Sequence, residues 1–348
     1  MDELRYIQDR GIGSLQRYAF DGSTILTTDR LPNGRNFATA SSGPRVREEE
    51  IMTASHKFVS WTALLTFAAC LSALNASGQA ATRAPARSAP AQEGMVKLTA
   101  SNIEYFSQGQ GAPIVLLPFG GLTVGYMEGL SQDLADAGYR VVRINFRGSG
   151  KSTGSAQDVT LHTLAADVAG VIEALKLGPT NVAGHAFGNR VARTVAADHP
   201  ELVRTVILFA AGGKVPPTPD GEHALKTIFN PASTDAEVLN DMKYMVGNPA
   251  HIQMAWQIIK PCRAPQVAGI EGKAMEDTPL KDWWAPQGQM KYLVVQGTDD
   301  QIAPPKNGEL LKQELGARVT LVSFPGAGHL FLVTEAKKTA DAVVAFLH

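Results

Sequence analysis

From residue 95 onward the apolar positions follow two alternating rhythms. Compact apolar runs bounded by Gly, Pro, Asn or Asp predict strands over 103–106, 113–117, 139–145, 180–183, 205–210, 291–296 and 318–324. Between several of these runs the spacing shifts to that of a helix with one apolar face. A helix over 126–137 is ended by Gly138, and another begins after Thr160 as N-cap. Its stripe is Leu161, Leu164, Val168, Val171, Ile172 and Leu175, and Gly178-Pro179 ends it. Further helical patterns cover 189–198 and 335–347. Repeated strand–helix units predict an α/β fold, with a mostly parallel central sheet flanked by helices. About 80 residues between the strands at 205–210 and 291–296 break the rhythm, and they carry Tyr244, Trp256, Trp283 and Trp284. This segment, about 213–289, reads as an inserted, mainly helical cap over the carboxyl ends of the strands.

The first 93 residues follow neither rhythm. Residues 1–51 are rich in Gly, Arg, Ser and Asp and predict a disordered or over-annotated extension. Met52 is followed by His56 and Lys57, then by a mostly apolar run over 58–74 and small residues through Ala80. That order of basic, apolar and small residues is the pattern of a secretory signal peptide, and it predicts translation from Met52 with a periplasmic or secreted product. A retained membrane anchor is the alternative, but the apolar run is at the short end for a span. Residues 81–93 form an Ala/Pro/Arg linker, which leaves 94–348 as the folded domain.

Composition narrows the function classes. The net charge is −1, and residues 94–348 keep 22 of the 32 Lys+Arg and 24 of the 33 Asp+Glu. No basic tract calls for nucleic acid, and none suggests membrane contact once the signal is removed. The two cysteines, Cys70 and Cys262, have no metal-binding spacing, and no sequence feature calls for a metal or a cofactor. The expected partner is a small-molecule substrate.

The candidate chemistry is concentrated in loops that follow strands. The stretch 181–193 runs from a small apolar strand through Gly184-His185-Ala186-Phe187-Gly188 into a helix. This is the outline of a G-x-S-x-G nucleophile elbow with alanine at its centre, and Gly184 and Gly188 supply the small flanking residues that such a turn demands. Gly297-Thr298-Asp299-Asp300 places an acid past one strand, and Pro325-Gly326-Ala327-Gly328-His329 places a histidine past the next. Pro118-Phe119-Gly120-Gly121, after an early strand, offers backbone N–H groups. Arg147-Gly148-Ser149-Gly150-Lys151-Ser152 follows a further strand and lacks the form of a phosphate-binding loop. Its serines read as turn residues, and Arg147 and Lys151 as structural or surface pairs. Cys262 reads as a packed thiol, and His185 as a structural residue.

In this order and spacing the segments resemble the α/β-hydrolase superfamily over residues 95–348. The resemblance implies a Ser–His–Asp triad, an oxyanion hole and a variable cap. It places the general base at His329 and the acid at Asp300, with Asp299 as the alternative. One oxyanion donor is the Phe187 N–H; the second comes from Gly120 or Phe119. An aspartate common in the family is Asn145 here. The nucleophile position is Ala186, whose methyl group cannot attack a carbonyl. Three readings follow. The first is hydrolysis of an ester, amide or carbon–carbon bond without a covalent intermediate, with His329 and Asp300 as general base. The second is a homologue that binds a small ligand without catalysis. The third is a serine esterase carrying an engineered Ser-to-Ala change.

Overall fold

A computed structural model describes the backbone of 18–20, 24–30 and 36–40 and all of 87–348. The signal-peptide segment and residues 81–86 of the linker lie outside the described residues. The chain divides into two compact units, Met1–Gln79 and Ala80–His348. In the first, β1 (Tyr18–Phe20), β2 (Thr24–Arg30) and β3 (Asn36–Ala40) pair in order as an antiparallel meander. The apolar pattern there predicts no element.

The second unit is built on a nine-stranded sheet. Its strands are β4 (Gln92–Lys97), β5 (Ser101–Gln108), β6 (Pro113–Leu117), β7 (Arg140–Ile144), β8 (Thr153–Gly154), β9 (Thr180–His185), β10 (Val203–Phe209), β11 (Lys291–Gly297) and β12 (Val319–Phe324). The spatial order is β12-β11-β10-β9-β6-β7-β5-β4, with β8 paired to β5. All pairings from β7 through β12 are parallel, and β5 and β4 turn antiparallel at one edge. The predicted strands at 103–106 and 113–117 flank a turn but do not pair with each other; β7 lies between them.

Alternation along each strand divides the core into two layers, because successive side chains point to opposite faces. On β6, Ile114 and Leu116 join one layer while Val115 and Leu117 join the other; on β10, Ile207 and Phe209 separate from Val206 and Leu208 in the same way. Helices Glu128–Asp136 and Ala336–Leu347 cover the first face, and Leu161–Ala174, Phe187–Asp198 and Lys306–Leu315 cover the second. Thr160 caps its helix by accepting from the Thr163 N–H at 3.2 Å. The helix Lys306–Leu315 completes the β11–β12 crossover; its short apolar stripe, Leu311 and Leu315, left it unpredicted. Several short helices from Pro219–Phe229 to Leu280–Trp283 interrupt the path between β10 and β11.

Two buried polar clusters fix the strand-end loops. The Asn145 Oδ1 accepts from the Val124 N–H at 2.8 Å, and its Nδ2 donates to Glu104 Oε2 at 2.6 Å. One amide therefore satisfies a donor in the segment after β6 and an acceptor on β5, which a carboxylate could not do. Arg147 makes a two-pronged pair with Asp167 at 2.7 and 2.8 Å, and Ser152 Oγ donates to the Asn145 carbonyl. Lys151 pairs with Glu93 at the surface. These contacts give Arg147, Lys151 and Ser152 structural work to do. Asn145→Asp should set a second carboxylate against Glu104 and destabilise the protein at neutral pH by about 1–3 kcal/mol. The loss should shrink as pH falls and the two carboxyls share a proton. Urea unfolding at pH 7 and pH 4.5 checks this; equal losses at both pH values would contradict it.

Candidate active site

Strand β9 ends at His185, and the helix Phe187–Asp198 begins two residues later. Ala186 makes the whole turn with φ 50° and ψ −105°. For a residue with a Cβ this region costs of order 1–3 kcal/mol. The close approach on either side explains the flanking glycines. A Cβ on Gly184 would stand 2.5 Å from the Asn189 nitrogen, and one on Gly188 would stand 2.6 Å from the Pro118 carbonyl oxygen. Both positions are filled by neighbouring backbone, so no side chain fits. Ala186 itself is nearly buried, and its N–H donates to the Phe209 carbonyl at 3.0 Å.

The acid and the histidine meet beside this turn. Asp300 and His329 lie in the loops after β11 and β12, and the His329 Nδ1 stands 2.9 and 3.1 Å from the two carboxylate oxygens. Asp300 Oδ1 also accepts the N–H groups of Ile302 and Ala303, at 2.9 and 2.7 Å, so its buried charge is met by three donors. Asp299, the alternative acid, instead bonds the Thr298 hydroxyl at an exposed site. A carboxylate on Nδ1 places the ring proton there and leaves a lone pair on Nε2. That Nε2 is buried and has no hydrogen-bond partner among the described residues.

His185 does not contribute to this chemistry. The Phe119 N–H donates to the Tyr126 hydroxyl at 2.8 Å, the hydroxyl stands 2.9 Å from His185 Nδ1, and His185 Nε2 stands 3.0 Å from the His329 carbonyl. A carbonyl can only accept, so His185 Nε2 carries the proton and the tyrosine donates to Nδ1. Burial and the neighbouring His329 hold the His185 ring well below the usual histidine range, hence neutral. This chain ties the β6 loop to the loop that carries His329. It also consumes the Phe119 N–H, so of the two second-donor candidates Gly120 remains, alongside Phe187 in the first helical turn, where backbone N–H groups lack intrahelical partners.

These groups face one cavity of about 380 Å³, lined by Phe119, Gly120, Ala186, Phe187, Phe229 and His329 among others. Its walls are mostly apolar, and besides His329 they carry three ionisable side chains that the sequence pattern does not single out, Arg190, Lys226 and Glu271. Arg190, one turn beyond Ala186, lines the cavity and lies 5.3 Å from the Trp283 ring; no described carboxylate pairs with it, and burial lowers its pKa. Glu271 reaches in from the cap helix Ala268–Glu276. Neither residue stands in a motif; only the tertiary path brings them here. Cys262 lies elsewhere, beside Gly125, with burial raising its thiol pKa. Trp256, Trp283 and Trp284 are buried core residues of the cap.

Comparison with known proteins agrees with this layout. A family model described as alpha/beta hydrolase fold matches residues 113–235. The chain is 28% identical to a non-heme chloroperoxidase of Streptomyces lividans, over 60% of this chain and 82% of that protein. It is 25% identical to a 2-hydroxymuconate semialdehyde hydrolase of Pseudomonas sp. strain CF600, over 51% of this chain and 65% of that protein. An esterase from Exiguobacterium antarcticum superposes with a TM-score of 0.62 at 22% identity, over 73% of this chain and 99% of the esterase; this is a likeness of fold.

Relieving the positive φ tests the turn. Ala186→Gly should raise unfolding stability by about 1 kcal/mol, the strain released less the greater chain entropy of glycine. Gly188→Ala should lower it by more than about 2 kcal/mol through backbone collision. Denaturant titration measures both, and a neutral Gly188→Ala would contradict the packing described.

Proposed function

The chain belongs to the α/β-hydrolase superfamily, and from that premise we propose that it hydrolyses a small carbonyl compound without forming a covalent enzyme intermediate. The observation that carries this reading is His329. Its Nδ1 is oriented by Asp300, while its Nε2 is buried beside a cavity with no partner among the described residues. An imidazole held in that tautomer is a ready general base.

In the proposed reaction a water occupies the space that a serine hydroxyl would take. His329 Nε2 accepts its proton as the water oxygen bonds to the substrate carbonyl carbon. Asp300 stabilises the imidazolium without itself taking the proton. The carbonyl π pair moves onto oxygen, and the N–H groups of Phe187 and Gly120 hold that oxyanion. Collapse of the intermediate expels the leaving group, which takes the proton back from His329. The elbow serves here as a scaffold for the Phe187 amide, which explains why Ala186 keeps a strained conformation although it supplies no nucleophile. An ester, an amide or an activated carbon–carbon bond all satisfy this scheme.

The methyl group of Ala186 equally favours a second reading, a homologue that holds a small ligand in the apolar cavity without turnover. The two separate in one experiment. Purified protein is screened on short-chain esters, lactones and amides beside His329→Ala, Asp300→Asn and Ala186→Ser. Catalysis predicts that His329→Ala lowers kcat by roughly 10²–10⁴-fold and that Asp300→Asn also lowers it. Ala186→Ser should gain labelling by an organophosphonate, because the base and oxyanion amides are already in place. Turnover unaffected by His329→Ala would sink the catalytic reading. The signal-like segment over 52–80 supports export as a companion proposal, checked by N-terminal sequencing of protein recovered from the periplasm or medium.

A further inference from the structure

Glu271 is the group in the cavity that this scheme leaves unused. It sits on the cap helix Ala268–Glu276, yet its side chain is buried against the loop after β6. Its Oε2 accepts the Gly121 N–H at 2.7 Å, and among the described residues this is its only hydrogen bond. No described cation pairs with it. A Cβ built on Gly120 would stand 2.9 Å from the same oxygen and 3.2 Å from the Phe187 Cβ. The carboxyl and the Phe187 side chain therefore both lie against Gly120, on the side that a Cβ would occupy. These are the two residues whose amides face a developing oxyanion in the proposed reaction.

We propose that Glu271 is a catalytic residue of the cap, a carboxylic acid whose O–H donates a third hydrogen bond to the substrate oxyanion beside the Phe187 and Gly120 amides. The assignment rests on the hydrolase reading and deepens it. With Oε2 fixed as an acceptor by the Gly121 N–H, the proton is carried by Oε1. An ionised carboxylate at this position would repel the oxyanion; the protonated acid stabilises it. Burial, opposed only by the Gly121 N–H, pushes the acid up to about 8, so it is neutral at pH 7. The other ionisable groups around it are Tyr126 on the loop after β6, Arg190 on the elbow helix, Lys226 on Pro219–Phe229 and His329 after β12. Of these, Lys226 is already paired with Glu222. The substrate class that follows is a carbonyl compound whose oxygen seats beside the helix Ala268–Glu276.

The full chain is tested with three measurements on wild type, Glu271→Gln and Glu271→Ala. Difference infrared spectroscopy between wild type and Glu271→Gln should show a protonated carboxylic acid carbonyl band at pH 7 that fades as pH rises past about 8. The phenolate of 4-nitrophenol serves as an oxyanion mimic. Its affinity should fall roughly 10–100-fold in Glu271→Ala and less in Glu271→Gln, whose amide still donates. Wild-type affinity should also drop above pH 8 while that of Glu271→Gln stays level. For any ester turned over, kcat should follow the same pH pattern. Absence of the infrared band at pH 7, no phenolate binding to wild type, or equal phenolate affinity in Glu271→Ala overturns the assignment. If the band and the affinity differences appear but no substrate is turned over, the hydrolase reading fails while the placement of Glu271 as an oxyanion donor stands.

Discussion

Everything at the candidate site depends on a steric constraint, the contact of bare backbone between β9, the helix Phe187–Asp198 and the end of β6. Gly184 and Gly188 have no room for a Cβ, and Ala186 must turn the chain at a φ that L-residues avoid. The strain is held because the surrounding elements over-determine it. The Ala186 N–H is fixed on β10, Asn189 Nδ2 donates to the Ala210 carbonyl, and the fully buried Arg193 bonds the carbonyls of Asn189, Gly212 and Trp284. Arg193 thereby ties the elbow helix to both ends of the cap. Burial drives its pKa well below the usual arginine range, and the rings of Trp283 and Trp284 lie 4.6 and 5.0 Å from it in place of a carboxylate partner.

The polar chain Phe119–Tyr126–His185–His329 is the second organising element. It links the loop after β6 to the loop after β12 through the side chain next to Ala186. Because each group donates in one direction, it sets the His185 tautomer and spends the Phe119 amide. Around this frame the charges are arranged asymmetrically. Asp300 receives three donors and orients His329, whereas Glu271 receives one and stays neutral. Burial raises the Glu271 carboxyl, and its single N–H donor opposes that rise only in part.

The histidine and the acid are held by contacts that do not involve the Ala186 side chain. The Nε2 of His329 is buried with no hydrogen-bond partner among the described residues. A water can supply a partner there, which is the physical link between the intact frame and the proposed reaction.

Much of this was legible in the amino-acid sequence, for identifiable reasons. Apolar alternation sets β6 and β10 between two layers because a strand has period two. Glycines flanking position 186 announce a turn that admits no side chain, and the order of elbow, acid and histidine follows the order of the strands. That Asp300 rather than Asp299 meets His329, and that Tyr126 takes the Phe119 N–H, was decided only by tertiary structure, since each depends on which neighbour claims a donor or acceptor. The helix Lys306–Leu315 was not predicted, because two buried leucines are too few to mark a period. Arg190 and Glu271 carried no local signal. Glu271 lies 150 positions from the Gly121 amide it accepts from, and nothing in its own helix, whose buried positions are few, says that this carboxyl is out of water. A residue's spacing along the chain fixes the element it sits in; its protonation and its partner are fixed by what the fold packs against it.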